Sequence, residues 1–378
     1  MNALKRYDSW LDDDGPAALV IREHLIPVEG PDGVLFPAGF APEEGAGKDR
    51  SKFQGGYNID HFDGNSPSSG PGKSGNVCLV DSVGSQANRI EPLFAKEKYQ
   101  GLVPQVVITY GAEKSISLLE AGHRAGDALL RSTSLQAELH TAFKAVQAGD
   151  AAPLARIAPT SLVFGVWDSR NTQAKLPRLV SSTIRAYNVR ALTRSAQYNP
   201  AVDYEKEGLL PPPGELKLTD KKYGERGFSH VPAPATHGGV IADGGIRRDA
   251  TLSLAALRLL RAGSDRGKTE ALRRYIFGLS LVALTAPSPT YLRQGCNLVP
   301  DVDKAREFIL IHGDGRREQA GVDADSALAY AKEAANAFGI GEDQTVPFDK
   351  ELARKDVTGE GDAEMSKKAK AKAVKEKP

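Results

Sequence analysis

The chain has only two cysteines in 378 residues and no run of about eighteen apolar residues. The first scarcity excludes a disulfide-stapled scaffold. Cys78 and Cys296 lie far apart, no signal peptide is expected before them, and Cys78 stands in an apolar run, so both are expected to be reduced and structural in a cytoplasmic protein. The second argues against a membrane-spanning helix. Metal-ligand spacing is also missing: His230 and His237 have no cysteine or suitable carboxylate set nearby, so no metal is expected. No GxSxG, HExxH, CxxC or dinucleotide fingerprint appears, which removes the common hydrolase, metalloprotease and dehydrogenase signatures and leaves no cofactor to expect. GPGKSG at 70–75 looks like a phosphate loop, but the motif needs glycine where Pro67 stands. It reads as a flexible turn.

Charge is balanced, with 49 basic against 48 acidic residues, which is unlike a simple basic nucleic-acid binder. Distribution matters more than the sum. No acid occurs between Ser169 and Val202, yet Arg170, Lys175, Arg178, Arg185, Arg190 and Arg194 all fall there. Such segregation leaves room for a basic groove on a nearly neutral molecule, whose exterior lets copies approach one another. Hydrophobic residues at 40% and charged ones at 26% are ordinary for a globular protein.

The stretch that organises the chain is VCLVDSVGSQANRIEPLF, residues 77 to 94. Its apolar start predicts a buried strand, and Asp81, Ser82, Gly84 and Ser85 supply turn and helix-cap chemistry. Helical spacing puts Ala87, Ile90 and Phe94 on one side and Ser82, Gln86 and Arg89 on an outward polar side, with a kink at Pro92. Neutral donors beside one fixed cation at a helix start suit a phosphate backbone. Elsewhere the patterning predicts strands at 18–30, 102–111, 161–168 and 306–315, and helices at 114–131, 134–147, from Asp249, at 268–284 and at 324–338. If 179–191 is a strand, Ser181, Thr183, Arg185 and Tyr187 share one face, with Val180, Ile184 and Ala186 on the other. Two segments lack periodicity, 31–76 and 208–246. The second is rich in glycine and reads as a projecting arm.

The phrases DSVGSQANRIEPLF, VFGVWDSR at 163–170 and LPRLVSSTIRAYNVRALTRSAQYNP at 176–200 resemble the backbone subunit of the type I-G CRISPR surveillance complex, Cascade, formerly called type I-U. That subunit belongs to the RAMP superfamily, and the resemblance spans roughly residues 15 to 340. It implies an α+β fold with an RRM-like, ferredoxin-like antiparallel sheet packed by helices and elaborated by insertions. Residues 1–345 would form the palm, with a finger at 40–76 and a thumb at 214–246, and 346–378 a disordered lysine-rich tail. It also implies a non-catalytic RNA-binding role: several copies coat one CRISPR RNA and present it to a target DNA strand, beside the large subunit and the repeat-end-binding, processing subunit. Ser85, Gln86, Asn88 and Arg89 would make the palm contact, and Arg170, Arg178, Ser182, Arg185, Arg194 and Tyr198 the neighbouring basic surface. Arg247 and Arg248, at the base of the arm, would touch guide or target.

The alternative is a RAMP-type, metal-dependent ribonuclease using Asp81, which stands at a strand end beside the polar helix. An enzyme acting on a sugar or nucleotide through an unrecognised site is a third and weaker reading. The segment MSKKAKAKAVKEKP carries six lysines against one glutamate, so it should add sequence-independent attraction to nucleic acid. Deleting residues 366–378 is expected to flatten the salt dependence of RNA binding. An unchanged slope of affinity against salt would show that the tail contributes nothing.

Overall fold

Alternation decides the central strands. In Ala18–Pro27 every second side chain, from Leu19 and Ile21 to Leu25, is buried, and the same pattern holds through Val180–Tyr187 and Ile246–Ser253. A strand with one apolar face must cover it, and here helices do so. In the computed structural model, which describes residues 3–49, 51–62, 75–216 and 218–359, these strands form the middle of a nine-stranded sheet.

The sheet contains the ferredoxin-like arrangement that the resemblance implies. Glu307–Ile311, Ala18–Pro27, Ile246–Ser253 and Val180–Tyr187 lie side by side in that spatial order, each antiparallel to its neighbour. In chain order they are the fourth, first, third and second strands of a strand-helix-strand-strand-helix-strand unit. Beyond Val180–Tyr187 the sheet continues through Gly75–Asp81 to Ile59–Phe62. At the other edge Cys296–Pro300 pairs with the end of Ala18–Pro27.

The main core lies under the helices. The twenty-residue helix Arg266–Thr285 buries Leu272, Ile276, Leu279 and Val282, on the stripe its spacing predicts. It packs on Ala324–Phe338, which starts at a capping box of Asp323 and Ser326 and ends at Gly339. Tyr275 and Phe338 stack across this contact with centroids 4.8 Å apart. A smaller cluster, holding Leu25, Leu35, Cys78, Val240 and Cys296, sits at the base of the arm. Both cysteines are free and buried, and burial pushes their thiols up to about 12 and about 11.

Several expectations are corrected. The helix expected at 114–131 is broken into the strand Lys114–Ser117, two 3-10 turns and the short helix Ala128–Arg131. Ser117 and Glu120 form a capping box there, and Asp127 caps again ten residues later, so local side chains restart the backbone twice. The strand expected at 161–168 is instead the buried helix Thr160–Phe164 followed by the two-residue strand Val166–Trp167. A continuous apolar run has no period to separate the two. The helix expected from Asp249 is the central strand Ile246–Ser253, which ends in a short helix capped by Ser253. The strand within 102–111 exists as Val106–Tyr110, but in a separate three-stranded sheet, parallel to Gln344–Pro347. Residues assigned to the tail therefore begin as that strand and the helix Lys350–Thr358. The lysine-rich end from 360 lies outside the described residues.

The arm is also larger than 214–246. Val189–Tyr198 and Val231–Ala242 pair as a long two-stranded ribbon, inserted between the second and third strands of the ferredoxin-like unit. Residues 190–199 are largely exposed. The connection at its far end contains Asp220–Glu225 and an aromatic contact of Tyr204 with Phe228 at 5.2 Å. Around the segment expected to form a finger, Gly39–Phe40 pairs with Gly56–Tyr57, and most of GPGKSG lies outside the described residues. Finger and ribbon meet at Gly239, whose φ is +93° and whose N–H donates to the Tyr57 hydroxyl at 3.0 Å. A Cβ there would stand 2.5 Å from Val34 Cγ1 and 2.9 Å from the Leu35 carbonyl oxygen. Gly239→Ala is accordingly expected to cost roughly 1–3 kcal/mol in chemical denaturation, and an unchanged midpoint would refute this account of the junction.

Candidate nucleic-acid interface

Ser82 has extended backbone angles, and its hydroxyl accepts from the Ser85 N–H at 3.2 Å, so the chain turns from Gly75–Asp81 directly into the helix Val83–Ile90. Ala87 and Ile90 dock inward as their spacing predicts, followed by Phe94. Pro92 falls in a 3-10 segment, Glu91–Ala95, so the expected change of course at the proline is present.

Gln86 is not on the outward face. It is 3% exposed: its Nε2 donates to Asp81 Oδ2 at 2.7 Å, and its Oε1 accepts from the Ser182 hydroxyl at 2.9 Å. Asp81 is wholly buried and also accepts from Arg89 Nε at 3.1 Å and Arg293 Nη2 at 2.7 Å. A buried carboxylate needs such donors, and that demand turns Gln86 and Arg89 toward the sheet. Gln86 and Ser182 are thus internal struts, turned away from the outward face that spacing predicts. Arg89 remains partly exposed and uses Nε toward Asp81, which leaves its other N–H groups for a partner.

Arg248 is likewise sunk below the surface. It is 3% exposed on the inner face of the sheet, with Nε 2.9 Å from Glu23 Oε2. Arg247, one residue earlier, faces the opposite side. There it is held by Asp249 at 2.9 Å and by the Tyr187 hydroxyl at 2.9 Å. Arg185 is its register partner on that face and donates to Thr183 Oγ1. The face shared by Ser181, Thr183, Arg185 and Tyr187 is as alternation predicts.

The exposed candidates gather at two places. At the helix start, Arg178 Nη2 is 3.9 Å from where a Gly84 Cβ would be, Ser85 follows half-buried, and Asn88 is exposed one turn on. Arg170 is exposed on a loop that Asp168 organises by accepting from the Asn171 and Thr172 backbone N–H groups. Beside this loop Trp167 is 55% exposed, with Lys175 over its ring at 5.5 Å. The second place is the ribbon, where Arg194 and Tyr198 are exposed. The Tyr198 hydroxyl donates to the Gly227 carbonyl at 3.2 Å, and Arg190 is paired with Asp243.

Sequence reasoning singled out neither Arg293 nor Trp167 nor Arg306. Trp167 lies inside a quoted phrase, so its signal was present. Arg293 has none, because its link to Asp81 spans 212 residues. Among the described residues no group of three or more His, Cys, Asp or Glu is placed to hold a metal ion, and no helix is long and apolar enough to cross a membrane.

A buried pair braces the helix from behind. Arg124, with φ +53°, donates to Asn88 Oδ1 at 3.1 Å and places Nε 2.7 Å from Glu91 Oε2. Burial outweighs the arginine and pushes the Glu91 carboxyl up to about 7. Between its ordinary 4.5 and about 7, the folded chain keeps a proton that the unfolded chain has released. Its stabilising contribution is therefore full at low pH and is lost as pH rises through that window, at up to about 1.4 kcal/mol per pH unit. The stability of the parent chain minus that of Glu91→Gln should fall across this window in denaturation experiments. A difference that is flat or rises with pH would contradict the assignment.

Residues 19–191 match the family model described as CRISPR-associated protein GSU0053. The match runs from the first strand of the sheet through the helix start to the root of the ribbon. No curated protein matches the chain.

Proposed function

We propose that this chain is a non-catalytic, RNA-binding backbone subunit of a type I-G CRISPR surveillance complex, copies of which line a CRISPR RNA and hold it for pairing with target DNA. The family match supports a role in CRISPR defence. The observation that carries the finer reading is the ribbon Val189–Ala242, a long two-stranded insertion whose outer part is exposed. A free two-stranded ribbon is marginal in water, so one of this length is built to lie against something else. Its arginine and tyrosine suit a strand of phosphates and stackable bases. The other end of that surface is the start of the Val83–Ile90 helix, where Ser85, Arg89 and Arg178 offer hydroxyl and guanidinium donors.

A subunit that must accept any guide sequence grips the backbone and leaves the base edges free for pairing. Near-neutral net charge fits repetition along one strand, since strongly cationic copies would repel each other. The ribonuclease reading loses support from Asp81, whose carboxylate is buried and already accepts from Gln86, Arg89 and Arg293.

The test is purification of the chain from cells transcribing a CRISPR array, with sequencing of the retained RNA, followed by incubation with labelled target and divalent metal. Spacer-containing RNA and no cutting are expected. Metal-dependent cleavage abolished by Asp81→Ala would overturn the proposal. Arg89→Ala is expected to weaken guide binding by roughly 1–3 kcal/mol in moderate salt, and unchanged affinity would remove Arg89 from the interface.

A further inference from the structure

Between the Val83–Ile90 helix and the 286–290 loop that follows the long helix, the molecule opens into two cavities of ≈ 300 and ≈ 250 Å³. They share Arg248 and residues 286–290 as lining. The first extends past Arg89 and Lys96, the second past Gln86 to Glu23 and Arg306. Apolar side chains, among them Ile90, Leu93 and Leu298, separate these polar groups. Pro287 and Pro289 fix two φ angles in the loop, so this wall is set before any ligand arrives.

The charges do not balance. Asp81 is answered by Arg293 as well as by Arg89. That leaves Lys96, Arg248 and Arg306, together with what remains of Arg89, against Glu23 alone among the lining acids. Glu23 lies 2.9 Å from Arg248 Nε, off the line of a hydrogen bond, and 3.7 Å from Arg306 Nε. The Arg248 Nη2 is buried without a hydrogen-bond partner. An unsatisfied donor on a buried cation is costly, and a protein retains one where a water or a ligand supplies the acceptor. Apolar walls focus the field of the excess cations on the cleft. The ligand chemistry that answers several guanidinium and ammonium groups at once is a phosphate, with multiple charged oxygens and a geometry arginine can grip bidentately.

We propose that this cleft is a phosphate-binding pocket, with Arg248 at its buried end and Arg89, Lys96 and Arg306 nearer solvent, and that its occupant is a phosphodiester of the bound RNA strand. The phosphate chemistry stands on the cleft itself, whereas the RNA source rests on the function proposed above. Ser288 and Thr290 hydroxyls, in the same loop, would complete the acceptor's shell.

The test uses the full chain and two variants. Removing Arg248 alone strands Glu23, so the first variant is the double Glu23→Gln with Arg248→Gln, checked for native circular dichroism. The second, Lys96→Gln with Arg306→Gln, changes only side chains at the exposed end. Inorganic phosphate is titrated and followed by its phosphorus NMR signal, and a single-stranded RNA by fluorescence anisotropy at fixed ionic strength. Saturable phosphate binding by the parent chain, lost in the first variant, is expected. RNA affinity should fall about tenfold or more in both variants, the scale of a lost charge-assisted contact. Phosphate and RNA binding that both survive within twofold would overturn the pocket, as would a first variant that does not fold together with an unaffected second. Phosphate binding lost with RNA affinity intact would overturn the RNA occupant. A parent chain that binds phosphate saturably but no RNA would leave the pocket standing and defeat the proposed function instead.

Discussion

One buried carboxylate ties the edge of the sheet to the elements around it. Asp81 ends the Gly75–Asp81 strand at zero exposure, and three side chains answer it: Gln86 and Arg89 from the Val83–Ile90 helix, and Arg293 from the hairpin around residues 291–300. Through Gln86 the network reaches Ser182 in the neighbouring strand. Taking a carboxylate out of water costs several kcal/mol unless it is paired and hydrogen-bonded, so the helix cannot rotate or slide without exposing that cost. The orientation of Arg89 follows from this constraint. An arginine held by one nitrogen is pre-organised, and less of its side-chain freedom is lost when its other nitrogens bind.

The sheet separates two kinds of charge. On the inner face Glu23 and Arg248 are sunk beneath the helices, while on the outer face Asp249 meets Arg22 across strands and Arg247 along its own strand, as partly exposed pairs. The outer pairs neutralise one another and are worth little individually. The inner cations outnumber their partners. A molecule of net charge +1 thus gathers positive side chains in a cleft, along the helix start and on the ribbon, where a strand of phosphates would run.

Much of this was legible in the residues, and the failures have physical causes. Alternation located Ala18–Pro27 and Val180–Tyr187, and helical stripes located Arg266–Thr285 and Ala324–Phe338, because in each one face is apolar and the other is not. Ile246–Ser253 was hidden because its buried face includes Arg248, and Asp249 with Thr251 imitates a helix cap. Val231–Ala242 was hidden because, among its described residues, only the inner end, at Val240 and Ala242, is buried, too short a stretch to impose a period. At the site, Ser85, Asn88, Arg170, Arg178, Arg194 and Tyr198 do reach the surface. Gln86, Ser182 and Arg248 do not, and local spacing could not reveal it, since Gln86 meets Ser182 from a strand far along the chain and Arg248 meets Glu23 on the neighbouring strand.

The central claim is that copies of this chain repeat along one RNA strand. Native mass spectrometry of the purified protein with single-stranded RNAs of increasing length reads this directly. Repetition predicts that the number of chains bound rises in regular steps as the RNA lengthens, each added copy needing the same increment of nucleotides. A stoichiometry fixed at one chain per RNA, whatever its length, would contradict it.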